Sequence, residues 1–257
     1  MLELRDVSKI YLKNTPDECK IFDHFNLQIP KGQFVSVIGS NGSGKTTLLN
    51  LICGTFPPDG GKILLNHEDI SHRPEHLRAR RIGRVFQDPG MGTAAALTVT
   101  ENLALAANKG KGYGLSRGVD KEAEKHFAEL LEPLGMGRED RLNQRCGTLS
   151  GGQRQALALL MSTMTRPDIL ILDEHTAALD PKSSETVMEL TRKLVSRHHF
   201  TVIMVTHNLL YALNYGVRLL MMHEGEVILD KSGVDKTELL LEDVLNKFND
   251  ISIEVGN

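Results

Sequence analysis

"FVSVIGSNGSGKTTLLNLICG", residues 34–54, decides how this chain folds. Its first six residues form a β-branched, apolar run that ends in glycine, the pattern of a buried strand. A glycine-rich loop follows, and then an apolar-periodic segment closed by Gly54, which reads as a helix. Gly39, Ser40, Asn41, Gly42, Ser43, Gly44, Lys45 and Thr46 fit the phosphate-loop pattern in the strand–loop–helix setting it requires. Glycines let the backbone curl so that its N–H groups ring a β-phosphate. Lys45 brings a point charge to the β- and γ-phosphates, the Thr46 hydroxyl is placed to ligate Mg²⁺, and Thr47 beside it is counted with the loop as a nucleotide-binding residue.

Outward from this loop, three further elements fit the same chemistry. "ILILDE", 169–174, is a buried strand that delivers Asp173 to its C-terminal end, where ligands sit in open α/β sheets. Asp173 suits a Mg²⁺-holding role, and Glu174 could orient and deprotonate an attacking water. His207 in "VTHN" ends another apolar strand, in the place of a γ-phosphate sensor. Gln87 in "RVFQDP" also follows a short strand, and its amide could reach Mg²⁺ or the attacking water.

A second phosphate-type feature lies about a hundred residues on, in "TLSGGQRQALAL", 148–159. Leu149, Ser150, Gly151, Gly152 and Gln153 place a hydroxyl and two glycines just before an apolar-periodic run. A helix start of this kind receives a phosphate, through its N–H groups and the positive end of its dipole.

The remaining pattern gives the organisation. Short apolar groups before residue 35 suggest antiparallel strands joined by "KNTPDE", and "GKILLN", 61–66, reads as another strand. From 98 to 165 the periodicity is helical, with Thr100 expected to cap "TENLALAA". Segment 108–118 reads as a glycine-rich connector. The β/α alternation then resumes, with helices expected near 182–197 and 208–215 and strands at "VRLLMM" and "EVILD". The expected fold is therefore α/β: a P-loop NTPase core with a mainly parallel sheet, an N-terminal antiparallel β subdomain and a helical insertion. One ATP-binding domain spans 1–257, with the helical subdomain at roughly 95–165 and a helical tail from Lys231, at roughly 232–250.

Bulk properties narrow the classes. The 257 residues are 40% hydrophobic and 25% charged with a formal net charge of −3, which disfavours nucleic acid as a partner. Cys19, Cys53 and Cys146 are odd in number and widely spaced, the pattern of free thiols in a reducing cytosol. No window approaches the ~18 apolar residues of a membrane span, so any membrane part would come from another chain. The arginine-rich segment 73–84 reads as a solvated basic face, with contact to a membrane partner or anionic lipid as the alternative.

Taken together, Gly39–Thr46, Gln87, Leu149–Gln153, Ile169–Glu174, Ala178–Asp180 and His207 resemble the ATP-binding subunit of an ABC transporter, in the family's order and over nearly the whole chain. The resemblance implies Tyr11 stacked on adenine and a head-to-tail homodimer with ATP sandwiched in it. Ser150, Gly151, Gly152 and Gln153 of one subunit, with Asp180, would then close on the nucleotide held by the other. It further implies a separate integral-membrane permease docked on the segment after Gln87, and an extracytoplasmic substrate-binding protein. The subunit would sit in the cytoplasm, peripheral on the cytoplasmic face of the cell membrane. Import of a small solute, weakly an amino acid, is the first reading. A soluble ATPase for iron–sulfur cluster assembly and an exporter subunit are the alternatives. Two residues depart from the family's usual pattern: His175 stands where proline is common, and Ala177 where serine is.

Overall fold

The computed structural model describes residues 1–112, 119, 121–132 and 139–254, so most of the 108–118 connector lies outside the described residues. The chain forms two compact units, Met1–Ala79 with His199–Asn257, and Arg80–His198.

The first unit begins with β1 (Leu2–Tyr11) and β2 (Cys19–Ile29), followed by β3 (Phe34–Gly39) and α1 (Lys45–Cys53). Next come β4 (Gly60–Leu65), β5 (Glu68–Asp69) and the short α2 (Glu75–Arg78). The second unit holds β6 (Ile82–Val85), α3 (Pro89–Gly92), α4 (Val99–Ala107), α5 (Lys121–Leu131) and α6 (Glu139–Leu142). It continues through a 3-10 turn (Cys146–Thr148), α7 (Gly151–Thr163), β7 (Ile169–Asp173) and α8 (Pro181–His198). The chain returns to the first unit with β8 (Thr201–Val205), α9 (Leu209–Asn214), β9 (Arg218–His223), β10 (Glu226–Ser232), α10 (Val234–Thr237) and α11 (Leu241–Glu254).

In the first unit, β2, β1, β4 and β5 form an antiparallel sheet in that order. β3 lies between β9 and β8 and is parallel to both, with Val37 opposite Leu220 and Val205. Every residue of β3 and of β8 is buried, as the unbroken apolar runs require of strands covered on both faces. β10 pairs antiparallel with β9. In the second unit β6 and β7 are parallel, with Arg84 opposite Ile171 and Val85 opposite Leu172. α7 packs against β6, α8, α3 and α4.

Three expectations need correction. The cap of α4 is Thr98 rather than Thr100: the Thr98 Oγ accepts from the Glu101 N–H at 3.2 Å, and the Glu101 carboxylate accepts from the Thr98 N–H at 2.7 Å. This reciprocal pair satisfies two helix-start donors, which Thr100 cannot do because its buried hydroxyl donates to the Leu142 carbonyl. The tail is not one helix from Lys231. Lys231 and Ser232 stay in β10 through pairing with Leu219 and Arg218, and Gly233, at φ +58°, turns the chain into α10 before α11 begins.

Segment 73–84, finally, is a solvated basic face only in part: residues 73–77 and Arg80 are exposed, but three of its arginines turn inward. Arg78 is buried and donates to the carbonyls of Leu51, Ile52, Ser71 and Arg73, so it ties off the last turn of α1. Arg81 pairs with Asp168 at 2.6 Å and Arg84 with Asp173 at 2.7 Å. The i, i+3 spacing of these arginines was visible in the sequence, but the carbonyls and carboxylates that absorb them belong to distant segments.

Candidate nucleotide site and signature helix

The first unit supplies the phosphate loop. β3 ends at Gly39, where a Cβ would come within 2.3 Å of the Met222 carbonyl oxygen, so no other residue fits there without moving β9. The loop then rises through Gly42 and Gly44 at φ +83° and +98°, and α1 starts from Gly44, which offers no capping side chain. The first-turn N–H groups of α1 are thus not consumed by a side-chain cap. Lys45 is buried, and its Nζ donates to the carbonyls of Gly39 and Ser40 at 2.7 Å each and to Ser43 Oγ at 3.3 Å. The Gly225 N–H in the β9–β10 turn donates to the Ser43 carbonyl, fixing the loop from outside. Ser40, Asn41 and Thr46 are exposed at its mouth. A curved backbone around a fixed ammonium, with a helix start behind it, suits a polyphosphate.

Tyr11 ends β1 with its hydroxyl 3.4 Å from Thr47 Oγ1, on the first turn of α1. Its ring meets Phe56 edge-on, and the Lys9 ammonium lies 5.0 Å from the Phe56 centroid and 5.7 Å from that of Tyr11. His207 is exposed just past β8; the preceding Thr206 N–H donates to the Val37 carbonyl of β3, and Asn208 caps α9. The loop and His207 therefore leave the C-terminal ends of adjacent parallel strands, where open α/β sheets bind ligands.

The second unit holds the acidic residues and the signature helix. Asp173 is the last residue of β7, and Gln87 emerges, exposed, two residues beyond the end of the neighbouring β6. Glu174 is half-buried, and its φ of +47° marks a sharp turn that sends the chain away from the strand. His175 is fully buried with Nε2 3.4 Å from Thr191 Oγ1 on α8, and burial lowers its pKa to about 4. It anchors the turn into the core. Asp180 caps α8 through the Ser183 N–H at 3.1 Å, and the Ser183 side chain and backbone hold its carboxyl below the usual range.

Ser150 is the N-cap of α7: its Oγ accepts from the Gln153 N–H at 3.3 Å, and the Gln153 side chain accepts from the Ser150 N–H at 3.1 Å. The capping contact uses Oγ as an acceptor, which leaves its proton to donate outward. Gly152 lies against α8, where a Cβ would fall 2.6 Å from Ser183 Cβ.

Behind the cap, Arg154 Nε donates to Thr93 Oγ1 at 2.6 Å and Gln155 Nε2 to the Phe86 carbonyl at 2.8 Å. Gln87 thus lies between two points of attachment to α7. Ahead of the cap, the Cys146 and Gly147 N–H groups donate to the Leu97 and Ala95 carbonyls at 2.9 Å each. Asn102 fills the corner, accepting from the Ala94 N–H and donating to the Thr98 carbonyl and Cys146 Sγ. These supporting residues carry no motif. Arg84, Asn102, Arg154 and Gln155 stand out only as polar residues at apolar-facing positions once the elements are in place.

Residues 22–177, more than half of the chain, match the family described as ABC transporter. The chain belongs to the ABC transporter ATP-binding family. A tyrosine transport ATP-binding protein of Clostridioides difficile is 45% identical over 96% of this chain and 98% of its own length. A phosphonates import ATP-binding protein of Ruegeria is 35% identical over 96% and 93%. Among solved structures, a dimeric ATP-binding cassette in a post-hydrolysis state, bound to ADP and Pi, is 31% identical, with a TM-score of 0.75 over 90% of this chain and 98% of that one. A nucleotide-free ABC transporter cassette gives a TM-score of 0.79 at 26% identity, over 100% of this chain and 99% of the other.

The protein is the ATP-binding subunit of an ABC transporter, an ATPase whose hydrolysis powers transport. Its fold is the ABC ATPase fold expected from the sequence. Among the described residues, no helix of this ABC subunit is long and apolar enough to cross a membrane. Nor do the described residues include a cluster of three or more His, Cys, Asp or Glu able to hold a metal ion by themselves. Each unit carries hard oxygen donors of the kind Mg²⁺ prefers: the Thr46 hydroxyl in the first, and the Gln87 amide and Asp173 carboxylate in the second.

Proposed function

We propose that this subunit drives import of a small, amino-acid-like solute, tyrosine or a similar aromatic amino acid, through a separate permease served by an extracytoplasmic binding protein. The observation that carries this reading is the 45% identity, over almost the full length of both chains, to a tyrosine transport ATP-binding protein. The work is done on the cytoplasmic face of the membrane, where the segment after Gln87 receives the permease.

In this reading two copies pair head to tail. Lys45 and the loop N–H groups hold the β- and γ-phosphates, and Tyr11 stacks on adenine. Ser150, with its cap acceptor already used, donates its proton to the γ-phosphate held by the partner, assisted by the N–H groups of Gly151 and Gly152. Gln153 holds that cap in place, and Asp180 fixes the turn beside it. Thr46, Gln87 and Asp173 would hold Mg²⁺, which when bound would supply positive charge to offset that of the phosphates. Glu174 takes the proton from the attacking water as the bond to the γ-phosphorus forms and the bond to the leaving ADP oxygen breaks. His207 contacts the γ-phosphate and reports its loss. Nucleotide binding closes the pair, and hydrolysis opens it.

The test joins two measurements. Tagged protein purified from its native membranes in mild detergent should bring a polytopic permease with it. Cells lacking the subunit should lose uptake of labelled tyrosine, and Glu174→Gln should fail to restore it. Recovery of soluble partners alone would overturn the transporter pairing, and unchanged tyrosine uptake would overturn the solute assignment.

A further inference from the structure

Arg84 is not part of any motif, yet it meets the acidic end of β7. It lies on β6 opposite Ile171, and its Nη2 donates to Asp173 Oδ2 at 2.7 Å. The pair is sheltered, with side-chain exposures of 14% and 18%. The contact is held from two sides. The Arg84 guanidinium carbon lies 4.8 Å from the centroid of the Phe86 ring, a stacking contact that fixes the plane of the fork. Its carbonyl accepts from Ser162 Oγ on α7 at 3.1 Å, which ties the strand to the signature helix. Arg84 is therefore a cation placed on one oxygen of a carboxylate whose partner in catalysis is also a cation.

We propose that Arg84 is a positioning residue that sets the Mg²⁺ demand of nucleotide binding by occupying Asp173 Oδ2. The proposal rests on the reading of Asp173 as a Mg²⁺-holding carboxylate. With Oδ2 engaged by Arg84, the carboxylate is held in orientation and its negative charge is partly spent. A fixed positive charge this close also opposes a divalent cation at Asp173, and partial burial limits screening of that repulsion. The ion pair keeps Asp173 from holding metal tightly on its own; magnesium gains a firm place only when a phosphate chain supplies further ligands. The subunit would otherwise carry a charged, half-sheltered carboxylate through the nucleotide-free part of every cycle.

The experiment measures binding rather than turnover. Fluorescently labelled ADP is bound to the full-length protein, and MgCl₂ is titrated to find the concentration that gives half of the Mg²⁺-dependent signal. Arg84→Met removes the charge, and the half-saturating Mg²⁺ concentration should fall by about tenfold. ADP affinity without Mg²⁺ should stay as in the parent. Arg84→Lys keeps the charge but loses the stacked fork, so it should shift less than Met; a shift as large as that of Met would assign the effect to lost packing and overturn the role of the charge. Arg84→Gln, a polar replacement, keeps the test open where Met fails to fold and should follow Met. Asp173→Asn is run beside them and should raise the half-saturating concentration. An unchanged or higher Mg²⁺ demand in the charge-removing variant, with Asp173→Asn behaving as stated, overturns the role of Arg84 alone. An Asp173→Asn protein with the parent's Mg²⁺ demand overturns the reading of Asp173 and the proposal with it.

Discussion

Gln155 Nε2 lies 2.8 Å from the Phe86 carbonyl oxygen, a hydrogen bond from the middle of the signature helix to the residue just before Gln87. With Arg154 bound to Thr93 on the far side, α7 grips both ends of the segment that carries Gln87. Two sequence motifs about sixty residues apart are thereby parts of one mechanical piece. A displacement of the segment after Gln87 therefore has a direct route to the N-terminus of α7 and to Ser150.

Breaking that grip should be measurable. Gln155 is fully buried, so Gln155→Leu leaves the Phe86 carbonyl without its donor at a cost of about 1–3 kcal/mol. Urea unfolding should show this loss, while binding of labelled ADP to the refolded protein stays close to the parent because the phosphate loop belongs to the other unit. ATP turnover should fall further than the stability loss explains. Parent-like turnover in a destabilised protein would show that the link between α7 and Gln87 does not matter for hydrolysis.

Ser150 has two roles that substitutions can separate. As an N-cap it stabilises α7, so Ser150→Ala should cost about 1 kcal/mol and also lower turnover. Ser150→Asp caps a helix equally well but faces the incoming phosphate with a negative charge. Its melting temperature should match the parent, and its ATPase activity should be lost. If the aspartate variant hydrolysed ATP at the parent rate, the helix start would not be meeting phosphate at all.

The motif-bearing parts of this fold were legible because backbone requirements fix them locally. The run from Phe34 to Gly54 dictates strand, loop and helix with residues that have few alternatives, and "ILILDE" can be little but a buried strand with an acidic end. The cap of α4 is a near miss: Thr98-x-x-Glu101 carries the reciprocal spacing of a capping box, but Thr100, inside the helix, also stands directly before the apolar run, and local pattern alone does not choose between them. Arg78, Arg81 and Arg84 were not legible, although Arg73 and Arg80 are exposed as their charge suggests. Only the fold brings Leu51, Ile52, Asp168 and Asp173 to the first three.

Arg78 gives that lesson a number. Burial lowers its pKa, and it still serves four backbone carbonyls, two in α1 and two in the loop between β5 and α2. Arg78→Met should therefore destabilise the protein by about 3 kcal/mol or more, because acceptors buried with it lose their donor. Arg80→Met, a neighbour with none of these carbonyl contacts, should change stability by less than about 0.5 kcal/mol. Equal effects in urea unfolding would mean that Arg78 is held no more firmly than a surface arginine.

His175 makes stability depend on pH in the absence of nucleotide. Its imidazole has a pKa of about 4 in the folded state because it is buried, against 6.5 when solvated. Above pH 6.5 both states are neutral and the residue contributes nothing to the pH dependence. Below it the unfolded chain takes up a proton that the folded state refuses, so stability falls as the pH drops toward 4. By about pH 5 the loss from this one residue should be about 2 kcal/mol, and below the folded pKa it levels off near ~3 kcal/mol. Urea unfolding of parent and His175→Gln at about pH 7.5 and about pH 5 isolates the effect, since glutamine can meet Thr191 but does not titrate. The parent should lose about 2 kcal/mol more than the variant between the two conditions. An equal loss in both would mean that acid reaches His175 without unfolding the turn, and that the imidazole is not held in the core beside Glu174.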